Sequence, residues 1–186
     1  MIPTPGSWDK LRYHLLHIWC RDNEADFHYL MSWFALLVQY PDEKPATSLI
    51  ISGGKGSGKS IIMAAIFEPI FNHRYCDMDL SDINAGRFSP GCLDKHLVVY
   101  DGSLVCGDMN TSKRVQDLLS KVSFIMLTND NIEPHSYAKI STDFFALSLD
   151  NEKTGDSKYF GALIAEINNG GREAFLYDLL HYETKV

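Results

Sequence analysis

Hydrophobic positions along the chain follow two rhythms. In RDNEADFHYLMSWFALLVQYP, residues Phe27, Leu30, Met31, Phe34, Leu37 and Val38 recur at helical spacing. This predicts an amphipathic helix with Asp22 or Asn23 as its cap and Pro41 as its stop. Short apolar runs follow the other rhythm: TSLIIS (47–52), HLVVY (96–100), VSFIMLTN (122–129) and DFFALSLD (143–150). Each predicts a strand, and the second and third have the continuous hydrophobicity of parallel strands buried on both faces.

Helical spacing returns in KSIIMAAIFEPIF from Lys59, where Pro69 is expected to disturb the helix. Further helices are predicted at about 111–120 and 157–169, the latter closing on Asn168, Asn169, Gly170 and Gly171, a C-cap signature. REAFLYDLLHY forms the last. Before all of these, residues 1–20 mix Pro3, Pro5 and Gly6 with Trp8, Tyr13 and Trp19, as expected of a lead-in whose later half packs onto the domain.

Strands alternating with helices point to an α/β layered domain with a mainly parallel sheet. A chain of 186 residues is read as one domain with a sufficient core of its own. Its parts are a helical lead-in (1–44) packed on the core and a core (45–186) that includes the C-terminal helices.

Charge narrows the functional classes. Seventeen Lys and Arg against 24 Asp and Glu give a net charge of −7, which argues against nucleic-acid binding by broad charge neutralisation. Any such contact must be local. The four cysteines (Cys20, Cys76, Cys92, Cys106) are widely spaced and contain no CxxC pair, so they are read as reduced and mostly buried, without a metal. No run approaches the ~20 apolar residues of a membrane span, and MIPTPGSWDK lacks the basic and apolar regions of a signal peptide. A cytoplasmic location is expected, that of a bacterial host if the gene is carried by a phage or plasmid, with no membrane partner.

The chemistry is concentrated in ISGGKGSGKS. Gly53, Gly58, Lys59 and Ser60 satisfy GxxxxGK[ST], between a predicted strand and a predicted helix. In such a loop (Gly53, Gly54, Lys55, Gly56, Ser57, Gly58) backbone N–H groups converge on phosphate oxygens, and the helix N-terminus adds a favourable dipole. Lys59 is then expected to meet the β and γ phosphates of ATP, and Ser60 to ligate Mg2+. A carboxylate on a neighbouring strand end would complete the magnesium shell. LVVYD offers Asp101 for this, with a strand-ending Asp that starts a turn before Gly102 as the lesser alternative. FIMLTN offers Asn129 to orient water near the γ phosphate, with a turn role in TNDN as the alternative.

Together these strand ends resemble the superfamily 3 helicase domain of phage and plasmid primase-helicases, relatives of the poxvirus primase-helicase. The resemblance runs from about His17 to Leu180. It includes HIWCRDNEADFHYLMSWFALLVQYPDEKP, GRFSPGCLDKHLVVYD, IMLTNDN and YFGALIAEINNGGREAFLYDLL, with Arg87 and Phe88 in a segment ahead of the second strand. It implies an AAA+-like, three-layer P-loop NTPase that assembles as a hexamer, binds ATP between subunits and drives single-stranded DNA through a central channel. It carries Lys59, Ser60 and Asp101 over as nucleotide and magnesium ligands, and Asn129 as the γ-phosphate sensor.

Three departures modify that expectation. The family's second strand usually ends in an acidic pair whose Glu activates water, whereas Asp101 is followed by Gly102, Ser103 and Leu104, with Asp108 the next carboxylate. A general base commonly contributes about 10²–10⁴ in rate. SKRVQDLLS passes almost directly to KVSFIMLTN, leaving hardly any room for the family's DNA-gripping hairpin; Lys113, Arg114 and Lys121 form a small basic group there. Where the family shows arginines before paired aromatics, this chain has Ser141, Thr142 and Asp143 before Phe144 and Phe145, with Lys139 the nearest cation. An arginine finger is worth about 10³–10⁵ in turnover. The expectation is therefore retained ATP binding, slow hydrolysis and weak contact with single-stranded DNA. A non-motor nucleotide-binding or assembly module, partnering a full-length helicase, is the second reading, and a small P-loop kinase the third.

Overall fold

The computed structural model describes residues 1–78, 92, 94–102, 119–129 and 144–184. Five strands form one sheet: β1 (Ser48–Ser52), β2 (Tyr75–Met78), β3 (Leu97–Asp101), β4 (Ser123–Thr128) and β5 (Phe144–Ser148). Their order is β2-β3-β4-β1-β5, and every neighbouring pair runs parallel. The four apolar runs read as strands thus all become strands. β2 was not expected, because YCDM is short and carries Asp77 in its middle.

Side chains alternate between two buried faces, as parallel strands covered on both sides require. Leu49, Ile51, Leu97, Val99, Ile125 and Leu127 belong to one apolar cluster. Ile50, Val98, Tyr100, Phe124 and Met126 belong to the other. The larger cluster also takes residues from α2 (Glu24–Gln39), α3 (Lys59–Phe71), α4 (Ser157–Glu166) and α5 (Arg172–Leu180). Its Phe34, Phe67 and Phe175 are almost fully enclosed, each stabilising the fold by about 1.5–3 kcal/mol. This is an α/β fold with helices flanking a parallel sheet.

The lead-in shares that cluster through Trp8, Leu11, Leu15, Ile18 and Trp19. It forms α1 (Asp9–Tyr13) and then a wider π-helical turn, His14–Trp19. Glu166, at the end of α4, accepts the N–H groups of Lys10 and Leu11 at 2.9 and 3.0 Å, placing a carboxylate on the positive end of α1. Trp8 Nε1 donates to Asp178 at 2.6 Å. The cap of α2 is Asn23, whose side chain accepts from Ala25 and Asp26 N–H at 3.0 and 3.2 Å.

Pro69 does not end its helix: α3 continues to Phe71. Proline removes the N–H that would bond the carbonyl four residues back. That carbonyl, on Ala65, accepts from Arg172 Nε at 2.5 Å, so a side chain from α5 replaces the missing donor. The expected C-cap at 168–171 does interrupt the helix with a kink. Gly170 there takes φ 100° and Asn169 leaves the helical region, between α4 and α5.

The helix expected at 111–120 falls mostly outside the described residues, as do Arg87, Phe88, Asp108, Lys113, Arg114, Lys139 and residues 141–143. Among the described residues no helix is long and apolar enough to cross a membrane.

Candidate functional site

Register brings three strand ends to one edge of the sheet. Ser52 pairs with Thr128 and Asp101 with Leu127. The glycine loop leaving β1, Asn129 just past β4, and Asp101 closing β3 therefore share that edge. In open parallel sheets, ligands bind outside these carboxyl ends.

Lys59 opens α3 and is 5% exposed. Its ammonium donates to Gly53 O at 2.7 Å, Gly54 O at 3.2 Å and Ser57 Oγ at 3.0 Å, and to Asn129 Oδ1 at 3.2 Å. One cation thus ties the loop to the end of β4. Burial lowers its pKa, while the negative charge of Asp101 works against that shift. Desolvation disfavours the charged form, and an anionic partner would favour it. Ser60, the next residue, donates its hydroxyl to Asp101 Oδ2 at 2.5 Å.

The loop's shape leaves donors in front of the helix. Along α3 the helical bonding begins with Ile62 N–H donating to Gly58 O at 3.0 Å, so the N–H groups of Lys59, Ser60 and Ile61 precede the ladder. Gly58 sits at φ 85°, and a Cβ there would lie 2.2 Å from Phe160 Cε1. Both backbone and packing require glycine.

Four residues that sequence reasoning missed border the loop on the far side, and two of them bond to it. Asn151 Oδ1 accepts Gly54 N–H at 3.1 Å, and Gly155 N–H donates to Gly56 O at 3.2 Å. Thr154 Oγ1 would stand 4.0 Å from a Cβ on Gly54, and Phe160 packs on Gly58. The signal was present in DNEKTGD, a polar turn directly after a strand that neighbours β1. Its reach to the loop depends on the parallel pairing of β1 with β5, which no local pattern reveals.

Beyond Asp101 the chain changes character. Gly102 N–H donates to Leu127 O at 2.9 Å, extending the ladder. A Cβ at Gly102 would lie 2.8 Å from the hydroxyl oxygen of Tyr100 and 3.0 Å from its Cζ. Tyr100 is fully buried, so an acidic side chain at position 102 would have to displace a packed ring.

The residues that could hold Mg2+ are Ser60 and Asp101. They offer a hydroxyl and a carboxylate oxygen in direct contact, hard oxygen donors of the kind that bind this ion along with phosphate and water. Gly53 through Ser60 could hold the phosphates. Lys121 stands elsewhere: it precedes β4 at the opposite edge and borders a polar cleft of about 150 Å³ with Lys44, Arg74 and Lys95. Cys20 and Cys92 are buried and Cys76 is half-buried, while Cys106 lies outside the described residues. Among the described residues no group of three or more His, Cys, Asp or Glu could hold a metal.

No family model matches the sequence, and no curated protein matches it. Solved structures do share its fold. An apo structure of the NrS-1 C-terminal region (305–718) superposes with a TM-score of 0.74 at 16% identity, covering 100% of this chain and 48% of that one. The A form of the same apo region gives a TM-score of 0.76, also at 16% identity and 48% coverage. The chain thus spans about half the length of the structures it resembles.

Proposed function

We propose that this domain binds Mg2+–ATP at the β1–α3 loop and serves a phage or mobile-element replication protein as a superfamily 3 helicase-type module. Its intrinsic hydrolysis is slow. The observation that carries this reading is the bonding of Lys59, which joins the loop to Asn129 while the adjacent Ser60 meets Asp101. Those contacts connect the four residues that the chemistry of triphosphate binding calls for.

In the complex, Lys59 offers its ammonium to the β and γ phosphates, and the N–H groups ahead of α3 surround phosphate oxygens. Ser60 and Asp101 would hold Mg2+, which when bound would supply neutralisation of phosphate charge. Asn129 positions water or senses the γ phosphate from the end of β4. In a full motor these events would couple to movement along single-stranded DNA within a homo-oligomer, a hexamer in the family that the motifs resemble.

A second reading is a non-motor module that binds nucleotide and docks on a complete helicase. Gly102 favours it, because the position where the family places its water-activating Glu is closed by Tyr100.

ATP affinity and turnover, measured with and without single-stranded DNA while light scattering tracks mass, test both readings. ATP binding is expected in the wild type. Lys59→Ala should weaken it about 100-fold, the loss of one or two charge-assisted hydrogen bonds. Equal affinity in the variant would remove the loop from the proposal. DNA-stimulated turnover in a hexamer supports the motor, and binding without turnover supports the module.

A further inference from the structure

Two thiols meet on the side of the sheet away from β5. Cys76 lies in β2, and Cys92 precedes β3, with residues 77–91 between them in sequence. Their sulfurs are 2.7 Å apart and unbonded. A disulfide needs about 2.05 Å, so the remaining approach is a fraction of an ångström.

Both partners are held in place. Cys76 is fixed by the ladder, opposite Val98 of β3. Cys92 accepts Lys95 N–H at 3.2 Å in the turn leading to β3, and its side chain is buried with Met78, Val98 and Tyr100. Cys76 is half-buried, which leaves the pair a route to solvent. Two thiols held in contact by separately anchored backbones have little entropy to lose on joining.

We propose that Cys76 and Cys92 form a modification site, a dithiol that small-molecule disulfides such as oxidised glutathione convert to an intramolecular disulfide. One thiol loses its proton and attacks the reagent's S–S bond, forming a mixed disulfide and releasing one reagent thiolate. The second thiol, deprotonated in turn, attacks the protein sulfur of that mixed disulfide and releases the other. The protein loses two electrons and two protons; the reagent is reduced to two thiols. Burial and the contact with Cys92 push the Cys76 thiol up to about 12. The thiolate is the reacting form, so the reaction is slow at neutral pH and faster in alkali. This site is independent of the nucleotide reading.

The test treats native protein with excess oxidised glutathione at alkaline pH, then counts thiols and maps peptides after denaturation. Free thiols should fall from the four of the sequence to two, with one cross-linked peptide joining Cys76 to Cys92. Dithiothreitol should restore all four. In C76S and C92S the cross-link should be absent, and the remaining member of the pair should retain bound glutathione. Four unchanged thiols in the wild type would overturn the proposal. A cross-link through Cys20 or Cys106, or stable glutathione adducts on both Cys76 and Cys92, would overturn it too. The wild-type peptide map decides the matter even if the serine variants fold poorly.

Discussion

The ends of β1 and β3 share one edge of the sheet but are built differently. At the end of β1 the loop is held from every side: Lys59 from within, Asn129 from β4, and Asn151, Gly155 and Phe160 from the turn after β5. At the end of β3, among the described residues, one carboxylate, Asp101, meets Ser60, and a Cβ at the next position would run into Tyr100. Holding a phosphate needs convergent donors and one cation, which the first end has. Activating water needs a positioned base, and among the described residues position 102, beside Asp101, has no room for one.

The largest effect expected on this contrast is at the better-built end. Gly58→Ala places a Cβ at φ 85° and against the Phe160 ring. Strain in the left-handed region and overpacking together should cost about 3 kcal/mol, read by urea unfolding. Phe160→Ala in the same chain should return the packing part and leave the backbone part. If the double variant is no more stable than the sum of the singles predicts, the ring is not what supports the loop.

A pH effect follows from what lies behind that ring. His14 is fully enclosed and contacts Phe160 edge to face at 5.7 Å between centroids; its Nδ1 bonds the Tyr159 hydroxyl at 2.9 Å. Among the described residues its Nε2 has no partner, nor has Trp19 Nε1. Burial lowers its pKa from 6.5 to about 4. The unfolded chain therefore binds more protons between those values, so stability is full above about 6.5 and falls as pH drops towards 4. By pH 5 the loss should be about 2 kcal/mol. Urea midpoints between pH 5 and 7 should flatten in His14→Phe; an unchanged slope would mean that other groups control acid stability.

Much of this contrast was legible in the sequence, and what was missed has a common cause. Lys59, Ser60, Asp101 and Asn129 each end or begin an apolar run, so their identity and position could be read without knowing which strands pair. Gly102 was legible as a departure but not as a necessity, since the Tyr100 contact arises from how the ring folds back within its own strand end. Asn151 stands in a legible polar turn and Phe160 in a legible helix, but neither could be assigned to the loop, because their role exists only once β5 lies beside β1. The replacement of the missing Pro69 donor by Arg172 is of the same kind: a proline rule predicted a disturbance, and a residue far along the chain supplied the missing hydrogen bond.

The smallest expected change tests the poorer end most directly. If the proposed slow hydrolysis came only from the missing acid, Gly102→Glu should raise turnover by about 10²-fold or more. Tyr100 argues otherwise. Its ring is fully buried and stacks with Phe124 at 6.4 Å, so the new Cβ must push either the ring or the backbone. The cost should be about 1 kcal/mol, with turnover unchanged within about threefold and ATP affinity intact. Tyr100→Ala alongside Gly102→Glu makes space at a further loss of core packing. If the double variant alone gains turnover, the ring is the barrier. If Gly102→Glu by itself becomes an active ATPase, the two strand ends differ by one residue only, and the contrast between them fails.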